Sequence, residues 1–193
     1  MTEKKKYIEI VWFGRGGQGA ITASQIIAEA AYKEGYEGVT TAPSFGAERR
    51  GAPVAAFLRL SHVPIRIFSQ IADPDIIVVL DPTLLPILQL GKKYKSDALV
   101  IVNSTKCPSE IDLDMFRKVG VADITSIALA NSLTLAGTAI LNTPILGAFV
   151  KSTGLVSLPV VEEAIRSKFT GSKGELNVTA ARQTYEATMV YEG

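Results

Sequence analysis

Apolar residues fall into short unbroken runs over the first two thirds of the chain and into helical spacing over the last third. The stretch "YIEIVWF" at 7–13 is apolar, β-branched and aromatic, and predicts a buried first strand. "VTTA" at 39–42 predicts a short second strand. "VAAFLRL", "SHVP" and "IRIF" in succession predict a hairpin of two strands and a tight turn, which would make the sheet mixed. "DPDIIVVLDP" at 73–82 and "ALVIVN" at 98–103 predict buried strands with polar ends. "GVADIT" at 120–125 predicts a last short strand leading to a helix near 127–135. The other helices follow from periodicity and caps. One is expected over 18–33, with Ile21, Ser24, Ala28 and Ala31 inward. Asp81 and Pro82 suit the cap and first turn of a helix reaching Leu90. Thr143, Pro144 and Gly154 bracket another, and Ser157 opens the next. "GSKG" reads as a loop before a terminal helix, with Val178, Ala181, Tyr185 and Thr188 or Met189 on one stripe. The expected architecture is a single α/β domain over 1–193: three-layer and Rossmann-like, with a mixed, mostly parallel sheet. It carries a β-hairpin insert and a helical C-terminal third.

Composition narrows the chemistry. A formal charge of +1 argues against a nucleic-acid partner, which selects for a basic excess. No apolar run reaches membrane-spanning length, and the charged "MTEKKK" start lacks a signal core, so a cytoplasmic location without membrane contact is expected. Cys107 is the only cysteine, so the chain supplies neither an internal disulfide nor a four-cysteine iron–sulfur or zinc site. His62 is the only histidine and falls in the expected hairpin turn, where exposure is the simpler reading than catalysis. Cys107, before Pro108, reads as a structural or bystander thiol rather than a nucleophile.

Two stretches carry the candidate site. Gly14, Arg15, Gly16, Gly17, Gln18 and Gly19 form a G-x-G-x-x-G turn after a strand and before a helix. Such a turn lets a phosphate approach the backbone, and a helix N-terminus favours an anion. It also permits plain close packing of strand on helix. The dinucleotide fingerprint asks for an acidic residue at the tip of the second strand. Here that strand runs into "VTTAP", and Glu37 precedes it, so the NAD reading loses its second element. The second stretch, "PSFGAERRGAP", holds Ser44, Glu48, Arg49 and Arg50. A solvated charge cluster is the bland reading. At the carboxyl end of the second strand, however, the two guanidinium groups face the same crevice and suit a phosphate, including the 2′-phosphate of NADP. Arg15 adds a third guanidinium, and pairing with Arg15 or Arg49 is the simpler role for Glu48. "NTPILGAF" could line the same crevice, although its apolar residues read as core or interface.

"GRGGQGAITASQIIAEAA", "SFGAERRGAPVAAFLRL", "PDIIVVLD" and "NTPILGAFVKSTG", in that order and spacing, closely resemble gamma subunits of the 2-oxoacid:ferredoxin oxidoreductase family, on its pyruvate branch. The resemblance extends from about Tyr7 to the last helix. It implies a division of labour among alpha, beta, gamma and delta subunits. Thiamine diphosphate with magnesium sits on alpha and beta, and iron–sulfur clusters sit on beta and delta. Electrons leave to ferredoxin, and the gamma chain is associated with coenzyme A and active-site closure. On that basis Gly14, Arg15, Gly16, Gly17, Gln18 and Gly19 would cradle coenzyme A, with Ser44, Glu48, Arg49 and Arg50 beside it. No catalytic residue and no metal ligand is assigned to this chain. Two alternatives stay open: a structural subunit whose loops are interface, and an independent NADP-binding domain.

Overall fold

The computed structural model describes residues 7–43, 51–67 and 69–193. Strands β1 (Ile8–Arg15), β2 (Gly38–Pro43), β3 (Pro53–Ser61), β4 (Ile76–Val79), β5 (Leu99–Asn103), β6 (Lys118–Ala122) and β9 (Met189–Glu192) form one sheet. Its order is β2-β3-β1-β4-β5-β6-β9. β1, β4, β5 and β6 are parallel neighbours. β3 runs antiparallel to both β1 and β2, so β2 points the same way as β1. β9 closes the far edge antiparallel to β6. The sheet is therefore mixed and mostly parallel. A separate two-stranded ribbon is formed by β7 (Thr134–Leu135) and β8 (Thr138–Ala139).

The alternation of strand side chains explains the layers. Ile76 and Val78 of β4 and Ile101 of β5 enter one apolar cluster, while Ile77, Val79, Val100 and Val102 enter another. The first cluster is covered by α1 (Ala20–Lys33), α5 (Pro144–Thr153), α6 (Leu158–Lys168) and α7 (Gly171–Ala187). Trp12 stacks on Phe149 there, with ring centroids 5.2 Å apart. α4 (Ile124–Ala130) adds Ile124 and Ala128 to the same cluster. The second cluster is covered thinly, by Leu90 and Tyr94 around α3 (Leu90–Lys93) and by Leu113 and Phe116. Small residues allow close crossing. A Cβ on Gly147 of α5 would sit 1.9 Å from the Ala181 carbonyl oxygen of α7.

Several sequence expectations are corrected. "IRIF" forms no strand among its described residues; both edges of β3 are already hydrogen-bonded, to β1 and to β2. The hairpin is β2–β3, and the chain after β3 packs Val63 and Ile65 against Gly38. The helix expected from Asp81 to Leu90 breaks into a 3-10 turn (Pro82–Leu84), α2 (Leu85–Leu88) and α3, because Gln89 adopts a left-handed conformation. Helix α4 starts earlier than expected, capped by Asp123, and the ribbon occupies the end of its expected span. "GSKG" is the first turn of α7, not a loop. The terminal residues leave the helix at Thr188 and become β9. α1 starts at Ala20 rather than Gln18, because Gly17 and Gly19 hold φ of 99° and 91°. Thr143 and Ser157 occupy the expected N-cap positions without capping. The Thr143 hydroxyl bonds Asn177, and that of Ser157 bonds Glu34.

Candidate functional site

The chain leaves β1 through α1 on one face and leaves β4 through α2 and α3 on the other. Adjacent parallel strands whose connections depart to opposite faces leave a crevice beyond their carboxyl ends. The glycine turn lies there. A crevice of about 800 Å³ is lined by Gly17, Gly19, Ile21, Val54, Ile140 and Asn142, with Leu135 and Thr138 of the ribbon on its rim. Its polar side is the start of α1. Gly19 is the N-cap and has no side chain to satisfy the first-turn amides of Ala20, Ile21 and Thr22, which line the crevice. Its other side is apolar.

The geometry sorts the glycines. Gly14 lies in β1, where an added Cβ would stand 3.4 Å from Ala20 Cβ, at ordinary contact distance from α1. The Gly16 N–H donates to the Ala52 carbonyl at 2.9 Å, and its carbonyl accepts from Gly51 N–H at 3.0 Å. These bonds tie the turn to the entrance of β3. Gly17 and Gly19 need positive φ. At Gly19 a Cβ would also lie 2.6 Å from the Cβ of Asn142.

Arg15 and Gln18 line the crevice and also bond to neighbouring segments of the protein. The Arg15 N–H donates to Gln18 Oε1 at 2.7 Å, and Gln18 Nε2 donates to Asp81 Oδ2 at 2.8 Å. Arg15 Nη2 donates to Thr83 Oγ1 at 2.7 Å, Nη1 to the Gly51 carbonyl at 3.1 Å, and Nε lies 3.2 Å from Asp81 Oδ2. Asp81 also accepts from the Thr83 N–H at 2.9 Å, which confirms it as the expected cap. Burial pushes the Asp81 carboxyl up. The Thr83 hydroxyl, the Gln18 amide, the Thr83 N–H and the Arg15 charge outweigh that and hold it below the ordinary carboxylate value. Arg15 pairs with Asp81. Ser44, Glu48, Arg49 and Arg50 lie outside the described residues.

The remaining candidates take structural places. Cys107 Sγ donates to Glu110 Oε2 at 3.0 Å inside a capping box. That bond and the Cys107 N–H hold the Glu110 carboxyl below its ordinary value. His62 is exposed and stacks on Tyr36, 4.5 Å between ring centroids. The residues of "PILGAFV" are all buried, as core, and Asn142 just before them lines the crevice. Sequence reasoning singled out neither Thr83 nor the ribbon. Thr83 stands 68 positions from Arg15, and only the β1–β4 pairing brings them together. No group of three metal-ligating side chains occurs among the described residues. No described helix is long and apolar enough to cross a membrane.

Residues 9–187 match the family model described as "Pyruvate ferredoxin/flavodoxin oxidoreductase". The chain is 48% identical over 189 residues to the "Pyruvate/ketoisovalerate oxidoreductases common subunit gamma" of Pyrococcus furiosus, covering 96% of this chain and 99% of that protein. It is 43% identical to the "Pyruvate synthase subunit PorC" of Methanocaldococcus jannaschii, covering 92% of this chain and 95% of that protein. Among solved structures, pyruvate oxidoreductase subunit PORC from Thermotoga maritima superposes with a TM-score of 0.82 at 38% identity, covering 97% of this chain and all of that one.

Proposed function

The chain belongs to the pyruvate ferredoxin/flavodoxin oxidoreductase family, and we propose that it is the coenzyme A-binding gamma subunit of a cytoplasmic pyruvate:ferredoxin oxidoreductase. In this reading the chain assembles with alpha, beta and delta subunits, and the complex passes electrons to ferredoxin. Those partners hold thiamine diphosphate, its magnesium and the iron–sulfur clusters; one cysteine cannot hold a four-cysteine cluster. Thiamine diphosphate supplies the decarboxylation chemistry when bound to them. The net reaction takes pyruvate, coenzyme A and oxidised ferredoxin to acetyl-CoA, carbon dioxide, a proton and ferredoxin reduced by the two electrons released, and runs reversibly. The chain is inactive alone.

The crevice at the β1–β4 switch point carries the coenzyme A reading, because it offers an anion site beside an apolar wall. Coenzyme A has a diphosphate, a 3′-phosphate, an adenine and a long thiol-bearing arm. The open amides after Gly19 suit the phosphates, while Ile21, Val54 and Ile140 suit the uncharged parts. Arg49 and Arg50 directly precede Gly51, which lines the same crevice, and two guanidinium groups would neutralise phosphate charge there. β2 ends in Thr41-Ala42-Pro43, with no carboxylate for a dinucleotide ribose. The Pyrococcus relative's description as a common subunit of two oxidoreductases also fits a chain that leaves 2-oxoacid choice to its partners.

The test is Arg49→Ala with Arg50→Ala in the assembled enzyme. A charge-assisted hydrogen bond contributes about 1.5–3 kcal/mol. Loss of one such phosphate contact predicts a KM for coenzyme A raised at least about tenfold, with subunits still co-purifying. Dissociation of the complex would instead make these arginines interface residues. A rise in the KM for ferredoxin alone would contradict both readings.

A further inference from the structure

Arginine in a glycine turn invites assignment as a phosphate ligand. The geometry points to a different role. We propose that Arg15 is a positioning residue, clasped by Asp81, that holds the turn in the shape coenzyme A needs. This rests on the coenzyme A reading of the crevice.

Arg15 lines the crevice, but each of its three guanidinium nitrogens already makes a contact within the protein. Nε faces Asp81 and Thr83, Nη2 donates to Thr83, and Nη1 donates to the Gly51 carbonyl. A carboxylate 3.2 Å from Nε offsets the positive charge an anion would seek. The bonds span three segments far apart in sequence: the glycine turn, the cap after β4 and the entrance of β3. Gln18 closes the ring, accepting from the Arg15 N–H and donating to Asp81. The Gly16 backbone bonds to Gly51 and Ala52 reinforce the Arg15–Gly51 contact. The clasp thus fixes residues 15–18 at one end of the crevice and leaves the amides after Gly19 free to face a ligand. Lysine cannot replace this fork, because a single ammonium reaches neither all three segments nor the planar geometry.

The assembled oxidoreductase carrying Arg15→Lys, Asp81→Asn, both, or Gly19→Ala tests this, with subunit co-purification and melting temperature as folding controls. Coenzyme A and 3′-dephospho-coenzyme A are the probes. The expected result is a KM raised about tenfold by Arg15→Lys and by Asp81→Asn, equally for both probes. Neither kcat nor the KM for pyruvate changes, and the double variant is no worse than either single one. A KM lowered by Asp81→Asn would overturn the proposal, because freeing Arg15 would then improve anion binding. An Arg15→Lys effect confined to coenzyme A would also overturn it, marking Arg15 as a 3′-phosphate ligand. Wild-type kinetics in both variants, with Gly19→Ala still raising the KM, would remove the clasp but keep the crevice. Wild-type kinetics in all of them would remove the coenzyme A reading itself.

Discussion

Gly19 meets two independent demands at once: a φ of 91° and a backbone against Asn142. Gly19→Ala forces a left-handed alanine and a Cβ 2.6 Å from Asn142 Cβ. The expected cost is about 1–3 kcal/mol of stability, seen as a lower melting temperature together with weaker coenzyme A use. Asp81 makes a pH prediction. Its folded value lies below its unfolded value, so its stabilisation is complete above the ordinary carboxylate value near 4 and is lost as pH falls through the lower folded value. The gap in melting temperature between wild type and Asp81→Asn should be full at about pH 7 and narrow as pH falls below about 4. A constant gap across that range would deny the clasp its charge. The glycine turn was legible because its spacing is local, and Asp81 was legible as a cap because Pro82 follows it. The bond from Arg15 to Thr83 was not legible. Nothing local couples positions 68 apart.

At the scale of elements, the buried strands were readable because both faces of a central strand are covered, giving runs such as "DIIVVL". β3 was readable as a strand, but its partners were not. Periodicity shows that a run is extended and not what lies beside it, and β3 pairs with β1 across some 40 intervening residues. β9 was missed because its four residues continue a helical stripe through Ala181 and Tyr185. The crossing of α5 on α7 yields the sharpest packing prediction. Gly147→Ala places a methyl against the backbone of Ala181 and Tyr185, neither of which can rotate away. It should cost about 1–3 kcal/mol or more in denaturant unfolding. Leu129→Ala, on a residue 51% exposed, should change stability by less than about 0.5 kcal/mol. A tolerated Gly147→Ala would mean the two helices sit further apart than described.

On the scale of the whole molecule, the thick helical layer and the thin one are unequal. The thin side carries an apolar groove of about 590 Å³ between Leu85, Leu90, Ile111 and Met115, and Ile87 stands exposed on the same helices. The proposed coenzyme A crevice opens elsewhere, at the carboxyl end of β1 and β4. In the proposed reading, coenzyme A falls to this chain and the redox centres to its partners. The most direct measurement is photolabelling of the assembled enzyme with a diazirine-bearing coenzyme A, followed by peptide mapping. Label is expected on this chain, in peptides spanning 14–22 and 51–54, and excess unmodified coenzyme A should compete it away. Competable label found only on the other subunits would contradict the central claim and leave this chain a structural member of the complex.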